Sequence, residues 1–204
     1  MTINIKIFSD YIWGFCYVGK GVVDQLKKEY DIQEEWIGYE IHPETPSEGV
    51  SFVEMMGENR LNMMIDNFNN MAEPYGLKFG DLKVMNNSYN SLEAAEYARS
   101  VGKFEEYHEA LLYVYFTEAK DIGNIEVLSE VGMKVGINGE ELAKSVKEKR
   151  FAEKIKEDAQ HAKNMGINST PTFIINDEYK IVGAQSIEVF RNLFDSRLKN
   201  KGLL

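Results

Sequence analysis

The stretch FSDYIWGFCYVGKG, residues 8–21, leaves an apolar strand, crosses Ser9 and Asp10, and enters a helix carrying the only cysteine of the chain, Cys16. Upstream, Ile3, Ile5 and Ile7 alternate with polar residues, the period of two that marks a strand, and Phe8 closes it. Ser9 and Asp10 supply loop and cap chemistry before a helix expected over 15–30, with Val18, Val22 or Val23 and Leu26 on its buried side. A second strand is expected over 33–41, ended by HPETP, whose two prolines forbid continuation. The first 45 residues therefore read β-α-β.

From there to about residue 165 the pattern is helical. Leu61, Met64, Ile65, Phe68, Met71 and Ala72 recur at steps of three and four. Met55, Met56 and Met63 fall off that stripe; they read as adaptable packing or as the lining of an apolar pocket. Further helices follow around Leu92, Leu111 and Leu128, and Asn138 with Glu141 three residues on resembles a capping box. A last helix is expected over 151–165. The tail changes character: TPTFIIN and YKIVG flank an Asn-Asp turn as a hairpin, and Ser186 reads as the cap of a final amphipathic helix. Neither flank can bury its strands alone, so the simplest closure joins them in one sheet and leaves the helices as an insertion.

A formal charge of −10 with no basic cluster argues against nucleic acid and anionic membrane surfaces as partners. No charged leader precedes the first strand and no apolar run reaches membrane-spanning length, so a soluble, cytoplasmic protein is expected. One cysteine makes no intramolecular disulfide, and three scattered histidines, His42, His108 and His161, offer no zinc spacing; no metal is expected.

The order of elements, the SDYIWGFCYVGKG site and the STPTF segment resemble the DsbA family of thioredoxin-fold proteins, in its FrnE-like branch. That branch is related to 2-hydroxychromene-2-carboxylate isomerases and kappa-class glutathione transferases. WIGYEIHPETP, NNSYNSLEAAEYARSVGK, YVYFTEAKDI and IVGAQSIEVF resemble further segments of it in order. The resemblance implies an α/β thioredoxin-like domain formed by residues 1–46 and 166–204, interrupted by an all-helical insertion over 47–165. It also implies thiol-disulfide oxidoreductase chemistry, with the family's Cys-X-X-Cys falling on Trp13, Gly14, Phe15 and Cys16. The nucleophilic first cysteine is thus tryptophan, and only the resolving thiol remains, which makes the active site degenerate. The family's cis-proline falls on Pro171, after Thr170, beside an edge that pairs with a peptide or with glutathione.

Three functions follow: one-cysteine thiol exchange through Cys16, a glutathione-binding isomerase or transferase acting on an aromatic small molecule, or a non-catalytic binding module. Cys16 reads either as a reactive thiol at a helix N-terminus or as an inert buried group. Trp13 reads as a stacking platform or as a plug over the site. Asn87 and Ser88 read as capping residues and, by the resemblance, as ligand neighbours. His42 reads as a loop residue or a base, and His108 and His161 as ordinary helix histidines.

Overall fold

The computed structural model describes residues 2–198; Met1 and residues 199–204 lie outside the described part. Strand β1 (Ile3–Ser9) leads through a short loop into α1 (Gly14–Leu26) and then β2 (Ile32–Gly38). After the insertion come β5 (Thr172–Ile175), β6 (Tyr179–Val182) and α9 (Ile187–Leu193). One sheet joins both flanks in the order β2-β1-β5-β6, with β1 parallel to β2 and antiparallel to β5. Ile7 of β1 lies between Trp36 of β2 and Phe173 of β5.

The alternation in β1 decides its two faces. Ile3, Ile5 and Ile7 pack with Val22, Val23 and Leu26 of α1 and with Phe190 of α9, whereas Phe8 joins Ile37, Ala162 and Ile174 on the other side. The β5–β6 turn places Asn176 and Asp177 at φ 49° and 55°, a left-handed pair that these residue types tolerate. The Asn176 carboxamide also accepts from the Asn4 N–H at 2.9 Å, tying the turn to β1.

Two boundaries differ from the expectation. α1 stops at Leu26 rather than near residue 30, because the Lys28 and Glu29 N–H groups bond the Gln25 and Leu26 carbonyls only three residues back, at 3.2 and 3.0 Å, which tightens the last turn and breaks the α-helical ladder. β2 stops at Gly38 rather than at 41, because the Ile41 N–H is taken by the Asp10 carboxylate at 2.7 Å, not by a neighbouring strand. A side chain on the loop after β1 thus ends the second strand.

The insertion contains α2 (Phe52–Met56), α3 (Glu58–Ala72), α4 (Tyr89–Ser100), α5 (Phe104–Phe116), α6 (Ile125–Lys134), α7 (Gly139–Lys147) and α8 (Ala152–Asn164). It is not wholly helical: β3 (Val50–Ser51) and β4 (Val84–Met85) pair antiparallel. Two-residue strands are too short to leave a periodic signal. Asn138 caps α7 by accepting from the Glu140 and Glu141 N–H groups at 3.0 and 3.1 Å. Ser186 holds the N-cap position of α9 without a side-chain cap bond. The insertion shares a core with α1, since Tyr17 and Val18 belong to the same apolar cluster as Leu111, Phe116 and Leu128. No helix among the described residues is long and apolar enough to cross a membrane.

Candidate functional site

The loop between β1 and α1 places Asp10, Trp13 and Cys16 around one point. Trp13 is the N-cap of α1, in extended conformation, and its indole makes no cap bond. Its carbonyl accepts the Cys16 N–H at 2.7 Å, so Cys16 lies in the first turn and points inward. The Cys16 side chain is fully buried, and its Sγ accepts from the Asp10 N–H at 3.4 Å. Burial pushes the thiol up to about 11, against the Ser9 and Thr170 hydroxyls and the Asp10 N–H, which favour the thiolate. Of the two sequence readings of Cys16, this geometry matches the buried one.

Asp10 is a structural carboxylate rather than a helix cap. It is 1 % exposed, accepts from the Ile41 N–H, and reaches the Ile12 N–H at 3.4 Å. Burial raises its carboxyl above the ordinary range, opposed by those N–H groups and by the Ser88 hydroxyl. Ser88 therefore sits behind the loop, as the N-cap of α4 but without a side-chain cap bond. Asn87 accepts from the Tyr89 N–H at 3.0 Å and donates to the Thr45 carbonyl at 2.7 Å, linking the HPETP segment to α4. Both residues brace the site from the inside; the sequence reads them as capping residues and, by the resemblance, as ligand neighbours. Glu40 lies on the same segment, and burial, then the Asp10 and Glu44 charges, push its carboxyl up to about 7.

The Thr170–Pro171 bond is cis, as the resemblance implied. Thr170 is nevertheless 2 % exposed, and the Pro171 ring packs toward Gly19, where an added Cβ would lie 3.2 Å from Pro171 Cγ. An edge meant to receive a peptide or glutathione backbone needs open backbone groups; here that residue is covered. Thr170 offers no open surface to glutathione at this edge.

The open space lies on the other side of Trp13. A pocket of about 360 Å³, a size typical of small-molecule sites, separates the start of α1 from the insertion. Trp13, Gly14 and Phe15 form one wall; Met63, Met64, Phe68 and Met71 of α3 form the facing one. Phe79, Leu82 and Met85 of the β4 region, with Tyr115 and Phe116 of α5, complete it. The walls are braced by polar bonds outside the cavity: Asn69 accepts from the Phe79 N–H at 2.9 Å, and the Tyr115 hydroxyl donates to the Val84 carbonyl at 3.2 Å. Gly14 is needed for the fit, because a Cβ there would come within 2.7 Å of the Phe68 ring. Trp13 is half-buried, its ring 5.9 Å from that of Phe15 and 5.7 Å from that of His42, so it borders the opening without filling it.

The structure thus brings Trp13, Gly14 and Phe15 together with the methionines, and sets Cys16, Thr170, Pro171, Asn87 and Ser88 outside this cavity. Met55 and Met56 do not line it, whereas Met63, Met64, Met71 and Met85 do. Arg60 and Asn67 line it as well and went unnoticed in the sequence. Their signal was present: positions 60, 63, 64, 67, 68 and 71 share one face of α3 at steps of three and one. The histidines stay apart from the cavity. His42 Nδ1 pairs with Glu44 Oε1 at 2.9 Å, His161 is exposed, and His108 is buried with its Nδ1 2.8 Å from the Tyr11 hydroxyl.

Three comparisons bear on this arrangement. A family model described as a DSBA-like thioredoxin domain matches residues 4–195. The protein YwbO of Bacillus subtilis (strain 168) is 29% identical over 204 residues, covering 98% of this chain and all of that protein. Among solved structures, a probable DsbA oxidoreductase from Streptomyces coelicolor superposes with a TM-score of 0.87 at 20% identity, covering 95% of this chain and 89% of that one. A 2-hydroxychromene-2-carboxylate isomerase superposes at 0.79 and 14% identity, covering 98% and 99%. The cytosolic disulfide reductase DsbM of Pseudomonas aeruginosa with GSH gives 0.65 at 16% identity, covering 96% and 99%.

Proposed function

Because the chain belongs to the DSBA-like thioredoxin domain family, we propose that it is a member without dithiol chemistry, which binds an apolar small molecule in the pocket beside Trp13. The observation that carries this reading is one juxtaposition. A 360 Å³ apolar cavity opens against the residue standing where the family's nucleophile belongs, while the remaining thiol is buried. Two further points support it. Tryptophan cannot form a mixed disulfide, and the buried Cys16, pushed up to about 11, is almost wholly protonated near neutrality. The lone cysteine also suits a cytoplasmic setting, where no disulfide would be asked of it.

The test is a fluorescence titration with N-phenyl-1-naphthylamine, a neutral apolar probe whose emission rises in a dry site. The wild-type protein should bind it saturably at one site. Met64→Trp, which puts an indole into the cavity from the half-buried face of α3, should weaken binding at least tenfold. Cys16→Ser, outside the cavity, should leave it unchanged. Absence of saturable binding, or binding that Met64→Trp does not alter, would remove the pocket from the account.

A further inference from the structure

Resting on the reading of this cavity as a small-molecule site, we infer that its ligand is a flexible aliphatic carboxylate, with Arg60 as the residue that selects the anionic head. Arg60 begins the pocket face of α3, two residues into the helix. Among the described residues it has no ion-pair or hydrogen-bond partner, and it is exposed at the rim. No Asp or Glu among the described residues lines the cavity, although the chain carries a net charge of −10. An acidic protein thus presents an apolar cavity whose only charge among the described residues is a guanidinium without an ion-pair partner, the group best shaped to hold a carboxylate through two parallel N–H donors. The N-terminal end of α3 adds a favourable dipole at the same end.

The tail is read from the walls. Phe68 and Phe79 stack on each other with centroids 4.9 Å apart, and Phe116 stacks on Tyr17 at 5.0 Å. Phe15 meets Phe68 edge to face at 5.0 Å. These contacts take up part of the surface of the rings on the cavity wall. Between them stand four thioethers, Met63, Met64, Met71 and Met85, which adapt to a chain of variable shape. An alkyl chain gains contact area against such a wall in many conformations, with no fixed ring partner required. Arg60 and Met71 are eleven residues apart on one helix face, about 16 Å at 1.5 Å per residue, which sets an upper bound on an extended chain lying along this face, and a medium-chain acyl group falls within it.

Displacement of N-phenyl-1-naphthylamine by octanoate, 1-octanol and 1-naphthoate tests this. Octanoate should displace the probe about tenfold more effectively than 1-octanol, and better than 1-naphthoate. Arg60→Gln should weaken octanoate about tenfold and leave 1-octanol and the probe itself unchanged; Arg60→Lys should recover part of the loss. Raised salt should weaken octanoate alone. If 1-octanol competes as well as octanoate and Arg60→Gln has no effect, the anion assignment is overturned while the pocket reading stands. If 1-naphthoate is preferred, the aliphatic assignment falls. If the probe itself never binds, the pocket reading falls first.

Discussion

Asp10→Ala is expected to lose about 3 kcal/mol of folding stability. The carboxylate is 1 % exposed, and two backbone donors from different segments depend on it: Ile41 N–H at 2.7 Å and Ile12 N–H at 3.4 Å. Alanine would remove a charge-assisted acceptor and leave those donors with no replacement in a place that water does not reach. Asp10→Asn should recover about half of the loss, because the carboxamide keeps one oxygen but turns an NH2 toward a backbone donor. Urea unfolding at pH 7 reads both variants. A loss under about 1 kcal/mol for the alanine variant would mean that the HPETP segment is held by something else.

Acid should destabilise this protein through His108, and His108→Gln should show it. His108 is fully buried against Phe104 and Trp36, with its Nδ1 on the Tyr11 hydroxyl and the positive charges of Lys20 and Arg99 near by. Burial, reinforced by those two charges, lowers its pKa to about 3 from an ordinary 6.5. A base with a depressed folded pKa stays neutral in the native state while the unfolded chain takes up the proton. Its contribution is therefore present above pH 6.5 and lost as pH falls toward 3. Between pH 6.5 and 4.5 the loss amounts to roughly 2 to 3 kcal/mol.

Glu40 titrates in the same window with the opposite sign, since a raised carboxyl makes the native state bind the proton more tightly. Comparing the two proteins cancels it. His108→Gln keeps an acceptor for Tyr11 but does not titrate, so it should be less stable at pH 7 and approach or overtake the wild type by pH 4.5. Parallel profiles for the two proteins would show that His108 protonates in place without cost.

The fold was largely legible because its deciding patterns are local. The alternation of Ile3, Ile5 and Ile7, the helix after Asp10 and the Asn176-Asp177 turn each follow from side-chain period or backbone preference. Two other features leave no local pattern: β2 ends where the distant Asp10 captures Ile41, and the β3–β4 pair is too short to have a period.

The site was legible in part. Trp13, Gly14 and Phe15 were identified from the motif and do line the cavity, but nothing local tells that Cys16 turns inward or that Thr170 is covered. The α3 stripe carried more than one message. Leu61 and Ala72 are buried in the core, whereas Met64, Phe68 and Met71 of the same stripe join off-stripe Met63, Arg60 and Asn67 on the cavity face. A helix serving a core and a pocket together has a stripe wider than a core needs, and the excess was the signal.

On the proposed function, this chain keeps the family's fold without its thiol exchange. Mass spectrometry of the native protein after incubation with oxidised glutathione at pH 8 tests it directly, with the urea-unfolded chain as reference. The predicted result is no glutathione adduct on Cys16 in the native protein and complete adduct formation in the unfolded one. An adduct forming in the native protein at the unfolded rate, and released by reduced glutathione, would contradict the claim and return Cys16 to the centre of the site.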